Sequence, residues 1–140
     1  MTSPLPSGTV SGVVLLGHGS REPGTATEIK ALGEQLAAGN PEWRIEHAFL
    51  NQEPHIEHAV KTLVEAGCQH IVVLPLLVFV GKHILEDVPG EIERLQELYP
   101  TVRIVREPHL FRLPGFSDLL SNTLKTSESN SVTSSASLGN

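Results

Sequence analysis

HIVVLPLLVF, residues 70–79, is a continuous apolar run rich in β-branched residues. It is too short to cross a membrane and has no alternating polar face, so it reads as a strand buried on both sides. A strand covered on both faces belongs to a parallel sheet with helices above and below. The run passes directly into Gly81, Lys82 and His83. A cation and a histidine therefore stand at the mouth of the most hydrophobic strand.

Working outward, the same alternation recurs. Pro54 opens a helix in which Ile56, Val60, Leu63 and Val64 share one face. A further helix over Leu85–Leu98 turns Ile92, Leu95 and Leu98 inward. Strands are expected over 12–17 (GVVLLG), 44–50 (RIEHAFL) and 101–107 (TVRIVRE). A helix over 25–39 carries Ile29, Leu32, Leu36 and Ala37 at helical spacing and stops at Gly39; a short last helix spans Gly115–Leu124. Strands separated by single helices are βαβ units. The expected fold class is α/β: a three-layer α/β/α sandwich with a four-stranded parallel sheet, in one domain over 12–124. Residues 1–11 are expected to be a flexible N-terminus, and 125–140 (KTSESNSVTSSASLGN) a disordered Ser-rich tail or linker with nothing to bury.

Composition narrows the function. A chain of 140 residues suits one domain. The single cysteine, Cys68, excludes an internal disulfide and any multi-cysteine zinc or iron–sulfur site, so a metal would be held by histidine and carboxylate. A formal charge of −6 argues against nucleic acid as partner. The absence of a long apolar run and of a basic-then-apolar leader makes a soluble, cytoplasmic chain with no membrane partner the expectation.

Ligands of such sheets bind beyond the carboxyl ends of the strands. Strand one delivers His18, Ser20 and Arg21 to that edge; strand three delivers Lys82 and His83; strand two delivers Asn51, Gln52, Glu53 and His55; strand four delivers Glu107 and His109. Neutral imidazole is a common ligand of borderline divalent metals, so His18 and His83 at the ends of two strands make a plausible open metal site. Taken singly, each is better explained as a solvated loop residue; the pair at equivalent ends of two strands favours the ligand reading. His55 and His58, spaced i and i+3, read better as part of a solvated helical face beside Glu57 and Lys61. His47 and His70 read as structural, and Cys68 as a small buried filler. GHGS lacks the spacing of either common phosphate loop.

VVLLGHGSREPG, the AFL and EP that follow, the stretch ending in PLLVFVGKHILEDVP, and REPHLFRLPGFSDLL together resemble the sirohydrochlorin chelatases, class II chelatases that insert cobalt or iron into a tetrapyrrole. The resemblance covers roughly residues 12 to 120. It implies that His18 and His83 are the catalytic, metal-binding residues, with Co²⁺ or Fe²⁺ as substrate metal, Ni²⁺ as a further option, and no permanently bound cofactor. Sirohydrochlorin is a polycarboxylate and the chain is acidic, so binding would rely on local cations and helix-start N–H groups, with Ser20, Arg21 and Lys82 as substrate-binding candidates. The family's short form has one such domain and works as a homodimer, which this chain resembles unless it is one domain of the two-domain form. One departure is visible. Family members commonly carry glutamate directly after the FL that ends strand two; here Asn51 stands there, and Glu53 is the nearest carboxylate. Two other classes remain. A histidine phosphatase would need arginine immediately before the loop histidine, where Gly17 stands; a non-catalytic metal or tetrapyrrole carrier would keep both histidines.

Overall fold

In the computed structural model, residues 11–20, 22–78 and 81–130 are described. Four strands form one all-parallel sheet in the order β2-β1-β3-β4: β1 Ser11–Gly17, β2 Trp43–Phe49, β3 His70–Pro75 and β4 Arg103–Arg106. Helices α1 (Pro23–Gly39), α2 (Ile56–Glu65) and α3 (Lys82–Leu98) connect them, and a 3₁₀ turn (Leu110–Arg112) leads to α4 (Phe116–Asn130). The α/β expectation holds.

β1 lies between β2 and β3, and all seven of its residues are buried. Strand alternation sends Val14 and Leu16 to one face, where they join Ile56, Val60 and Leu63 of α2 and Val88, Ile92 and Leu95 of α3 in the main core. Leu15 faces the other way, toward α1. There Gly33 lets helix and sheet approach closely, since a Cβ on it would sit 3.3 Å from Ile45 and 3.5 Å from Leu15. α2 ends in a Schellman turn: Gly67, at φ 96°, donates to the Val64 carbonyl and Cys68 to that of Leu63.

Several boundaries differ from the sequence reading. β3 stops at Pro75 rather than at 79, because its partner β1 ends at Gly17; only the Leu76 N–H still reaches back, to the Leu16 carbonyl. α3 begins at Lys82 instead of Leu85. Pro89 removes one N–H from its ladder and reads as a break, yet Val88, Ile92 and Leu95, buried on either side of it, carry the helix through. Pro54 does not open α2, which starts at Ile56 with His55 at the N-cap. β4 is trimmed to Arg103–Arg106, and Leu98, expected inward, is exposed. α4 runs to Asn130, so 125–130 of the expected tail are helical; residues 131–140, and 1–10 of the N-terminus, lie outside the described residues. In α4 the Thr123 and Thr126 hydroxyls donate to the Leu119 and Asn122 carbonyls one turn back.

Candidate functional site

The first connection leaves β1 and returns at β2 on one side; the third leaves β3 and returns at β4 on the other. Right-handed crossovers in opposite directions put α1 and α3 on opposite faces. The carboxyl edge between β1 and β3 is therefore the switch point, where open α/β sheets take their ligands.

His18, exposed, is the first residue beyond β1. Pairing with the chain from β2 continues past the strands: the Leu50 N–H donates to the Gly17 carbonyl and the Asn51 N–H to that of His18, at 3.0 Å each. The side chains meet as well. Asn51 Nδ2 lies 2.9 Å from His18 Nδ1. Gly19 follows at φ 104°, and a Cβ there would meet Asn51 at 3.3 Å. The Ser20 N–H donates to Gln52 Oε1, and the Ser20 hydroxyl oxygen accepts from the Glu22 N–H at the entry to α1. The β1 loop is thus clamped to the β2 loop at two successive polar side chains, Asn51 and Gln52.

On the opposite lip, Lys82 and His83 fall on the first turn of α3 and not in a loop. Lys82 is fully solvated, its Nζ 4.0 Å from Glu86. The His83 side chain and the whole of Arg21 lie outside what is described. Among the described residues no side chain caps the starts of α1, α2 or α3, so backbone N–H groups are free to face the carboxyl edge at all three.

Glu53 is turned away from His18: its carboxylate lies 3.4 Å from His55 Nε2, while His55 Nδ1–H donates to the Phe49 carbonyl. Both ring nitrogens of His55 are engaged, so it does not pair with His58. Among the described residues no three His, Cys, Asp or Glu side chains converge to hold a metal. A neighbouring cleft of about 250 Å³, bounded by Leu50, His55, Asp87 and Glu91, lies between α2 and α3. His47 packs edge-on against Phe49, and His70 is buried, both structural as expected. His109, half-buried, precedes the 3₁₀ turn. The Asn51 and Gln52 contacts were not foreseen; their only sequence signal is position, directly after the strand beside β1.

The fold is an α/β domain with an exposed histidine, His18, at the carboxyl edge of its sheet. The CbiX family model matches residues 12–127, and the chain belongs to that family. It is 39% identical over 93 residues to a sirohydrochlorin ferrochelatase of Bacillus subtilis, covering 66% of this chain and 36% of that protein. It is 35% identical over 83 residues to a sirohydrochlorin cobaltochelatase of Sulfolobus acidocaldarius, covering 59% of this chain and 66% of that one. The sirohydrochlorin chelatase SirB of Bacillus subtilis subspecies spizizenii, solved with cobalt, superposes with a TM-score of 0.63 at 35% identity, over 71% of this chain and 43% of SirB. A CbiX protein of Marinobacter aquaeolei VT8 shares the fold, with a TM-score of 0.70 at 24% identity. The chain spans about a third to two thirds of the length of these curated relatives.

Among the described residues no helix is long and apolar enough to cross a membrane.

Proposed function

We propose that this domain is a sirohydrochlorin chelatase, inserting Co²⁺ or Fe²⁺ into the tetrapyrrole with release of the two pyrrole protons. Ni²⁺ is a third metal that imidazole ligands accept. The observation that carries this reading is the position of His18, alone on the exit of the central strand at the switch point, in a chain of the CbiX family. His18 and His83 hold the metal in transit. An open set of neutral imidazoles exchanges its ligands, as insertion requires, where a closed four-ligand site would trap the ion. Ser20, Arg21 and Lys82, with the uncapped helix starts, receive the substrate carboxylates. Neutral imidazole can also take a departing pyrrole proton.

The domain is proposed to act in the cytoplasm as a homodimer, since one sheet edge supplies one wall of a cleft and a two-fold partner would supply the other. Exposed Leu119, Leu120 and Leu124 on α4 give an apolar surface consistent with association. A strictly monomeric species in light scattering, still active, would remove the dimer.

The deciding experiment follows the absorption spectrum of sirohydrochlorin with Co²⁺ or Fe²⁺. Acceleration over the spontaneous reaction by the wild type, lost in both His18→Ala and His83→Ala, is the expected outcome. A second reading, a metal or tetrapyrrole carrier, is favoured by one observation: the group touching His18 is the amide of Asn51, not a carboxylate. Binding without acceleration would select it.

A further inference from the structure

The contact between Asn51 and His18 assigns a role to a residue that supplies no charge. We propose that Asn51 is a positioning residue for His18: its carboxamide holds the imidazole by Nδ1 and leaves Nε2 as the one ring atom offered to a metal ion or a pyrrole proton. The inference rests on the proposed metal chemistry of His18 and adds the device that aims it.

The geometry is built from both ends. Asn51 is fixed at its backbone by donation to the His18 carbonyl, and at its side chain by the 2.9 Å contact to Nδ1, so residues 51 and 18 are joined twice. Gly19 admits the approach, since a Cβ in its place would sit 3.3 Å from the Asn51 Cβ. An exposed imidazole otherwise turns freely about its side-chain bonds, and holding one nitrogen removes that freedom. Histidine ligands of metals are commonly held this way through the second ring nitrogen, by a carboxylate, a carbonyl or water. An amide differs from a carboxylate or a carbonyl because it carries both a donor and an acceptor. With Nδ2 toward the ring, Nδ1 is the acceptor and the ring proton sits on Nε2. When a metal takes Nε2, the proton must be on Nδ1, and Asn51 keeps its hold by presenting Oδ1. A carboxylate accepts only, and would fix the second arrangement permanently.

The test uses the full chain, with Co²⁺ alone as probe, and compares wild type, Asn51→Ala and Asn51→Asp. Ring ¹⁵N shifts of His18 are read without metal, and Co²⁺ affinity by calorimetry. Asn51 is exposed at the surface, so neither variant threatens the core. The wild type is expected to show Nδ1 as the unprotonated nitrogen, and Asn51→Asp to exchange the two nitrogens. Asn51→Ala is expected to lose on the order of 10- to 100-fold in Co²⁺ affinity, the range typical of such supporting contacts, with Asn51→Asp restoring it. Unchanged ring shifts together with unchanged affinity in Asn51→Ala, or an Asp variant no better than Ala, would overturn the inference. If His18→Ala binds Co²⁺ as well as wild type, the metal role of His18 falls instead; the ring shifts still decide whether Asn51 holds the imidazole.

Discussion

The side-chain oxygen of Gln96, on α3, accepts the backbone N–H of Ile104 on the edge strand β4 at 3.0 Å. The same amide donates to the Val102 carbonyl at 2.6 Å and the Tyr99 carbonyl at 3.1 Å, so one side chain serves three backbone groups between helix and strand. An edge strand presents unpaired backbone groups that invite another chain. Gln96 covers one of them. The Tyr99 carbonyl also accepts from the Val102 N–H, but Gln96→Ala takes the side-chain partner from the Ile104 N–H and the Val102 carbonyl, and a loss of about 1–3 kcal/mol in stability is expected from urea unfolding. A change confined to a few tenths would mean that water replaces the amide at no cost.

Gly19→Ala is expected to cost about 1–3 kcal/mol, because φ 104° is a conformation that alanine adopts only under strain. The added Cβ also presses on Asn51, so Co²⁺ binding should weaken beyond what Ala at Gly24, an exposed position with open space, produces. Equal effects at the two glycines would detach the His18 loop from this backbone geometry.

His70 is buried beside Ser11, and its Nε2 has no partner among the described residues. Burial, then the nearby Arg103 guanidinium, hold its pKa below the ordinary value of 6.5. The sign follows. As pH falls through 6.5 the unfolded chain takes up the proton first, so stability present at neutral pH drains away until the folded state is itself protonated. Urea midpoints at neutral pH and at about pH 5 should diverge in the wild type and converge in His70→Leu. An equal acid loss in both would place the sensitivity elsewhere.

Cys68 is 2% exposed and its thiol is pushed up by burial, against a smaller opposing pull from Arg44. The thiolate is the reactive form, so the native protein should resist thiol reagents at neutral pH and react only as it unfolds in urea. Rapid stoichiometric labelling without denaturant would contradict this packing.

The core was legible because its rule is short-range: β-branched runs and helical spacing name Val14, Leu16, Val60, Leu63, Ile92 and Leu95, and all are buried. Element ends were less so. The apolar stretch after Pro75 looks like strand, but a strand ends where its neighbour does, and Gly17 lies far away in sequence. Pro89 speaks locally against a helix that tertiary burial nevertheless carries through. Likewise, the topology rule puts His18 and the start of α3 on one edge, whereas no pattern in the sequence announces that Asn51 touches the His18 ring. That contact exists because two strand exits run side by side for two residues more than the strands themselves.

β1 is bonded to a neighbour along both of its edges over nearly its whole length, whereas β4 has four residues and one neighbour. Amide hydrogen exchange should therefore be slowest at Val13–Leu16 and faster in β4 and α4, whose opening does not require the sheet to part. His18 thus hangs two residues beyond the part of the molecule that opens last. Thermal breathing falls on the periphery, and in the proposed function the β1 exit would be the stationary jaw against which a large flat substrate is gripped.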